Sequence, residues 1–356
     1  MKNKKLLSIF FIAFSLPVFA QDADLSLIPY RQGNLWGYAA PDKKIVIAPA
    51  YEEAEFFSEG YAAVKKAGKF GYINKAGRVL IPFRFFVAKS FRVGYFAKGT
   101  KIVTADDLDD NQKTILFAPA SLRADGYEIC IDTKGETMKG CPAIPENSAP
   151  DINKASTIIT EKNYSTVKQN DIFDKIVDDY KIPGVEDNYY IAVKGANYGV
   201  FNNKFEIMVP FEYSMIKKWE INNSVYLEVQ KLEGKGLLTG NGAASIASDN
   251  SVFSVLKAMD GKYYIIAGKN GKVGIRDVTN NDVLPPNYMD IVYVPAGGFV
   301  LTGDDNLKGF RFLNSFMLEP KYASIKPVKG GEYVSITSQA GRSGYINNKG
   351  DEFFVD

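Results

Sequence analysis

Hydrophobic and polar positions alternate in short runs along this chain, and the runs are separated by glycine- and asparagine-bearing turns. Tyr61-Ala-Ala-Val-Lys65 alternates, Ala67-Gly68-Lys69 turns, and Phe70-Gly-Tyr-Ile73 alternates again. A second turn at Asn74-Lys-Ala-Gly77 leads into Arg78-Val-Leu-Ile81. A period of two places successive side chains on opposite faces of a strand, and Asn and Gly supply the positive φ that tight hairpins need. The pattern predicts three-strand antiparallel meanders. The proline that follows the third strand, Pro82, has no N–H to donate and is expected to end pairing, so that the chain crosses there to the next meander.

The meander recurs. Tyr51-Glu-Glu-Ala-Glu-Phe-Phe57-Ser-Glu-Gly60-Tyr61 and Phe85-Phe-Val-Ala-Lys-Ser-Phe91-Arg-Val-Gly94-Tyr95 match at a displacement of 34, which also carries Gly37-Tyr38 onto Gly71-Tyr72. Later, a glycine ahead of a short apolar strand returns at Gly199, Gly236, Gly274, Gly309 and Gly344, spaced by 37, 38, 35 and 35. A proline followed by an aromatic returns in phase as Pro210…Tyr213, Pro285…Tyr288 and Pro320…Tyr322. Self-similarity at this period marks a repeat architecture in which each unit cannot bury its own face and stacks on its neighbours. The expected fold is therefore all-β, a tandem array of about eight antiparallel β-meander repeats of 34–38 residues. The array is either propeller-like or an open β-solenoid.

Between Thr104 and Asp171 the period is hard to follow, although Gly94-Tyr-Phe-Ala-Lys98 and Thr114-Ile-Leu-Phe-Ala-Pro119 still suggest strands. Cys141 to Pro150 is loop-like, and Phe173, Ile176, Val177 and Tyr180 would suit one side of a helix, so a helical insert and a stretched repeat both fit, with an irregular or loop-extended module joining two repeat arrays favoured. The expected organisation is a leader at 1–20, N-terminal repeats at 21–125, an irregular insert or linker at 126–172, and C-terminal repeats at 173–356.

With the modules laid out, the chain resembles the WG-repeat family of bacterial proteins. Leu35-Trp-Gly-Tyr38, Ala48-Pro-Ala-Tyr51 and Phe57-Ser-Glu-Gly-Tyr-Ala-Ala-Val64 follow its unit, as does Phe70-Gly-Tyr-Ile-Asn-Lys-Ala-Gly-Arg-Val-Leu-Ile-Pro82. Gly344-Tyr-Ile-Asn-Asn-Lys-Gly350 reads as a truncated copy. The naming tryptophan survives only at Trp36; Phe70, Tyr198, Lys235, Val273, Lys308 and Ser343 stand in its place elsewhere. The resemblance implies tandem β-modules, often exported, with interaction roles. It carries over no catalytic residue, because the family motif contains none.

Composition narrows the function classes. Lys2, Lys4 and Lys5 precede an uncharged run from Leu6 to Phe14, and Val18-Phe19-Ala20 puts small residues at −3 and −1 of a cut after Ala20. That is the pattern of a signal peptide, too short to anchor in a bilayer core of about 30 Å, so an exported protein, periplasmic or secreted, with no membrane span after signal removal is expected. Losing those three lysines moves the formal charge from +2 to −1, and no run of Lys and Arg outside the leader exceeds two. Nucleic acid is thereby disfavoured as a partner, since phosphate backbones call for a clustered positive field.

Histidine is absent, which removes the usual general base and the commonest metal ligand. Cys130 and Cys141 are the only cysteines, eleven positions apart, and an oxidising compartment would pair them as a structural staple across a hairpin. Asp106-Asp107-Leu-Asp109-Asp110 and Asp304-Asp305 could offer oxygen ligands to Ca²⁺. They lack the spaced ligands and turning glycine of a calcium loop, so solvated turns are expected and no metal or cofactor is assigned. The recurrent aromatics Tyr51, Phe85, Tyr213, Tyr288 and Tyr322 fit packing between modules, and so does Trp36; Trp219, off the shared register, is the candidate surface contact. The expected function is a non-enzymatic exported scaffold for protein or glycan interaction, without an assigned catalytic residue. The alternative is a carboxylate-dependent carbohydrate-active enzyme, the class a histidine-free chain excludes least.

Overall fold

A computed structural model describes residues 24–95, 114–143, 172–295, 297–328 and 330–356. The leader at 1–20 and the Asp106–Asp110 cluster lie outside them. Among the described residues every regular element is a strand, and the strands form eight small sheets. Two compact units divide them: residues up to Leu27 with Tyr51–Asn147, and Ile28–Ala50 with Ser148–Asp356.

The second unit holds most of the repeats. Its fourth module is β12 (Lys175–Lys181), β13 (Asn188–Lys194), β14 (Asn197–Asn202) and β15 (Ile207–Tyr213), and its fifth is β16 (Met215–Ile221), β17 (Ser224–Gln230), β18 (Lys235–Thr239) and β19 (Ala244–Asn250). The sixth is β20 (Val252–Lys257), β21 (Tyr263–Lys269), β22 (Lys272–Arg276) and β23 (Asp282–Tyr288), and the seventh is β24 (Asp290–Val294), β25 (Gly298–Thr302), β26 (Lys308–Phe312) and β27 (Met317–Tyr322). Each is a four-stranded antiparallel meander in chain order. The eighth has three strands, β28 (Ser324–Pro327), β29 (Tyr333–Thr337) and β30 (Ser343–Asn347). The first module, β1 (Ile28–Gln32), β2 (Leu35–Ala39) and β3 (Ile45–Tyr51), takes its fourth strand from the far end of the chain, because β31 (Phe354–Val355) pairs in parallel with β1.

The first unit contains the second module, β4 (Glu53–Ala54), β5 (Ala62–Lys66), β6 (Lys69–Ile73) and β7 (Val79–Phe85). It also contains the third, β8 (Val87–Ala88), β9 (Arg92–Tyr95), β10 (Thr114–Ser121) and β11 (Ile129–Ile131). The hairpin turns fall where the sequence places them: Ala67 and Gly68 adopt φ of 49° and 72°, and Asn74 Oδ1 accepts from the N–H groups of Ala76 and Arg78. Asn202, Asp277 and Asn347 close the corresponding turns of later modules in the same way.

Three expectations need correction. The module has four strands rather than three: the short strand after each proline–aromatic pair begins the next sheet. The proline does not end pairing. Pro82 and Pro210 sit inside β7 and β15, and pairing resumes beyond them at Phe70↔Phe85 and Tyr198↔Tyr213. Between Tyr72↔Ile81 and Phe70↔Phe85 the outer strand advances four residues while β6 advances two, so the proline occupies a bulge where no ladder donor is required. The chain leaves the sheet only after the aromatic.

The third correction concerns 126–172 and the helical spacing beyond it. Cys130 and Ile131 lie on β11, paired with β10, and Asp132 closes a turn with Lys134 and Glu136 as Asn74 does with Ala76 and Arg78. The boundary at 126 thus falls within the third module. Ile176 and Tyr180 lie on β12. A register shift between Ile176 and Asp178 leaves Val177 unpaired, so Ile176 packs with Phe173, Ala192 and Phe201 on one face while Tyr180 packs with Tyr189 and Ile191 on the other. An extra residue in a strand moves the following side chains to the opposite face, and that shift produces the helix-like spacing.

Within each unit the core lies in layers between successive sheets. Tyr213 of the fourth module packs with Ile216, Val225 and Val229 of the fifth, Tyr288 with Ile291 and Leu301, Tyr322 with Ile325 and Ile336, and Phe85 with Ala88, Phe91 and Ala118. Buried rings of this kind supply much of the apolar area that a small sheet cannot hide alone.

Candidate interaction surface

Cys130 and Cys141 are joined in a disulfide, with Cα atoms 5.2 Å apart, across the Asp132–Gly135 turn. Trp219 on β16 is half-buried against the layer containing Leu237 and Ile265; its indole N–H donates to Glu228 at 3.0 Å, and the Lys217 ammonium stands 4.3 Å from its ring centre. Its polar handle is thus used internally, and only part of the ring faces solvent. Trp36 meets Tyr345 edge-on at 5.8 Å. Asp304 pairs with Lys272 on β22, and Asp305 caps the Leu307 N–H within its own turn. Among the described residues no three acidic, cysteine or histidine side chains group as metal ligands.

The repeated glycine is explained by space rather than by φ. A Cβ on Gly71 would fall 2.7 Å from Ile81 O, and on Gly274 it would fall 2.6 Å from Leu284 O, because the bulged outer strand folds over the glycine. A sequence model of the WG-containing repeat matches residues 36–70 and 70–97. Residues 36–97 thus carry two repeats of WG type. No characterised protein sequence matches it. Among solved structures it is similar to dihydro-heme d1 dehydrogenase NirN at 10% identity and TM-score 0.31, covering 93% of this chain and 73% of that one. It is also similar to the Dos1 propeller (10%, 0.23, 84% and 80%) and to the V. cholerae biofilm matrix protein Bap1 (11%, 0.17, 90% and 61%). At such TM-scores these likenesses bear on neither ligand nor reaction.

The surface of the modules has one recurrent feature that sequence reasoning missed. In β3 and β7, the outer strands of the first two modules, the pairs Ile45-Val46 and Val79-Leu80 stand at matching positions just before the bulge, and all four are exposed. Ile207 occupies the same position in β15 and is 55% exposed. These strands are edges of their sheets. The signal was present in the sequence as two adjacent apolar residues where alternation would allow one. It becomes readable only when the following isoleucine or valine (Ile47, Ile81, Val209) is seen to take the inward position.

Proposed function

We propose that this chain is an exported, non-enzymatic repeat scaffold that binds a protein or glycan partner along the outer edges of its modules. The recurrence of an exposed aliphatic pair at one position of the module, on strands with an unpaired edge, carries this reading. The four side chains, Ile45, Val46, Val79 and Leu80, keep 38–50% of their surface exposed, and apolar side chains left on an unpaired sheet edge are a liability that soluble proteins ordinarily blunt with charge. A contact surface gives them a use. Export is supported by the Lys2–Lys5 and Val18–Ala20 pattern at the start of the chain and by the Cys130–Cys141 bond, which persists in oxidising compartments.

The test is cross-linked capture from the native envelope or medium with chain 21–356, alongside a Val79→Asn/Leu80→Asn variant. A partner held by the parent chain and lost by the variant is expected. Retention by both would remove the outer edge from the reading, and turnover of a glycan by the purified chain would overturn the non-enzymatic scaffold altogether.

A further inference from the structure

One layer between modules lacks the ring that ends the outer strand elsewhere. The outer strands β15, β23 and β27 each end in a tyrosine, at Tyr213, Tyr288 and Tyr322, and β7 ends in Phe85; β19 ends in Asn250 instead. The substitution is not a shift of register, since the pairs Lys235↔Asn250, Leu237↔Ile246 and Leu238↔Ala244 repeat the pattern Tyr198↔Tyr213, Val200↔Val209 and Phe201↔Ile207. The Asn250 amide turns back onto its own bulge, donating to Lys235 O at 3.2 Å and to Ala247 O at 2.7 Å. The fully buried members of the layer between modules five and six are aliphatic, Ile221, Leu237, Ile246, Val255, Ile265 and Ala267, with Trp219, Tyr226, Phe253 and Tyr263 only partly buried against them.

The surroundings of the missing ring are nevertheless kept. In the preceding layer Lys231 pairs with Glu212 at 2.6 Å and places its ammonium 4.7 Å from the centre of Tyr213. Lys269 and Asp249 are the equivalent residues one module on, and they pair at 2.8 Å. Beside Asn250 and this pair the structure has an open cavity of about 350 Å³, lined by the apolar Ile246, Ala247, Ala267 and Pro286 and by the polar side chains of Asp249, Asn250, Lys269, Asn270, Lys272 and Arg276.

We infer that this cavity is a binding site for an aromatic ring supplied from outside the chain, a phenyl or phenol group seated where the other layers hold their own. The apolar part of the lining, Ile246, Ala247, Ala267 and Pro286, accepts a face of the ring, Lys269 supplies the cation that Lys231 supplies to Tyr213, and the open side admits the rest of the ligand. The ring belongs either to a free aryl compound or to a tyrosine or phenylalanine side chain of a partner peptide. The site stands independently of the outer-edge surface proposed above.

Saturation-transfer NMR on the full chain tests it, with p-cresol as the free ring, 4-methylcyclohexanol as its saturated counterpart, and a capped tripeptide Gly-Tyr-Gly as the peptide source. Saturable transfer to p-cresol is expected, with the saturated analogue binding about two- to fivefold more weakly for want of a π-face. Asn250→Tyr, which refills the place from within, abolishes transfer and raises the melting temperature. Lys269→Gln, on an exposed side chain that leaves folding intact, weakens p-cresol by a similar two- to fivefold factor. Tighter binding of the tripeptide than of p-cresol identifies a peptide source, and the reverse identifies a free aryl compound. Absence of transfer at millimolar p-cresol, or equal transfer in a folded Asn250→Tyr chain, overturns the site. Should that variant not fold, equal p-cresol affinity in Lys269→Gln and the parent overturns it.

Discussion

A methyl group on Gly309 would have to share space with two backbone atoms of the outer strand, Leu318 O at 2.5 Å and Pro320 N at 2.8 Å. Neither is the end of a flexible side chain, so relief requires β27 to lift off β26. Gly309→Ala is therefore expected to lower stability by about 1–3 kcal/mol, the usual range for forcing volume into a filled site. Gly140→Ala is the control: its Cβ would meet nothing within 4 Å and its φ is not positive, so no change is expected. Urea midpoints of the two variants decide the matter; an unchanged midpoint for Gly309→Ala would mean the strand yields freely. The spacing of these glycines was legible in the sequence, but the reason for them was not, because it depends on a bulge that exists only once the outer strand has paired. Asn250 was hidden for a related reason. An asparagine after an aspartate reads as an ordinary turn until its register shows that it stands where other modules place a ring.

Strands and turns were legible wherever alternation was clean, and illegible where a bulge interrupts it. Val177 is such a residue: with it out of the ladder, Ile176 and Tyr180 fall four apart on opposite faces and imitate a helix. The turn closed by Asp132 was obscured differently, since Cys130 replaces the tyrosine found at the matching position, Tyr72, and no WG dipeptide introduces the strand. At this scale the disulfide is the main untested contributor. Cys130 and Cys141 close a loop of eleven positions, for which chain entropy gives about 2–3 kcal/mol. Replacing both by serine should lower the stability of the first unit by that amount and leave the second unchanged. Hydrogen exchange read separately on β5–β6 and on β17–β18 distinguishes these outcomes. Equal loss of protection in both would show that the staple acts on more than its own module. Reduction of the parent chain should reproduce the effect.

Across the whole molecule, stability draws on phenol groups buried between sheets and on the joining of the chain's ends in the second unit. Burial pushes the Tyr72 and Tyr180 hydroxyls well above their ordinary value, and burial together with Asp260 pushes Tyr264 up to about 12. A group whose folded pKa is raised contributes stability that is complete below its unfolded value, near pH 10 for tyrosine, and that is lost as pH rises toward the folded value. The urea midpoint should accordingly stay level from about pH 7 to pH 9 and fall above about pH 10; a level midpoint to about pH 11.5 would remove the tyrosines from the account. The joined ends make a separate contribution. Phe353 is fully buried against Tyr333, its carbonyl accepts from the Arg31 N–H, and Val355 O accepts from the Gly33 N–H. The Arg31 guanidinium is buried too, held by Ser343 O and Asp356, with Phe354 beneath it. Truncating a buried phenylalanine costs about 3–5 kcal/mol, so Phe353→Ala should lower the stability of the second unit by that amount. It should also release β31 from β1, because the ring is the anchor that sets β31 in place. The amides of Arg31 and Gly33 report this directly: their hydrogen exchange should accelerate ahead of that of β17 and β21, which lie in other sheets. Protection that persists at both amides after the ring is removed would show that the parallel pairing holds β31 without it.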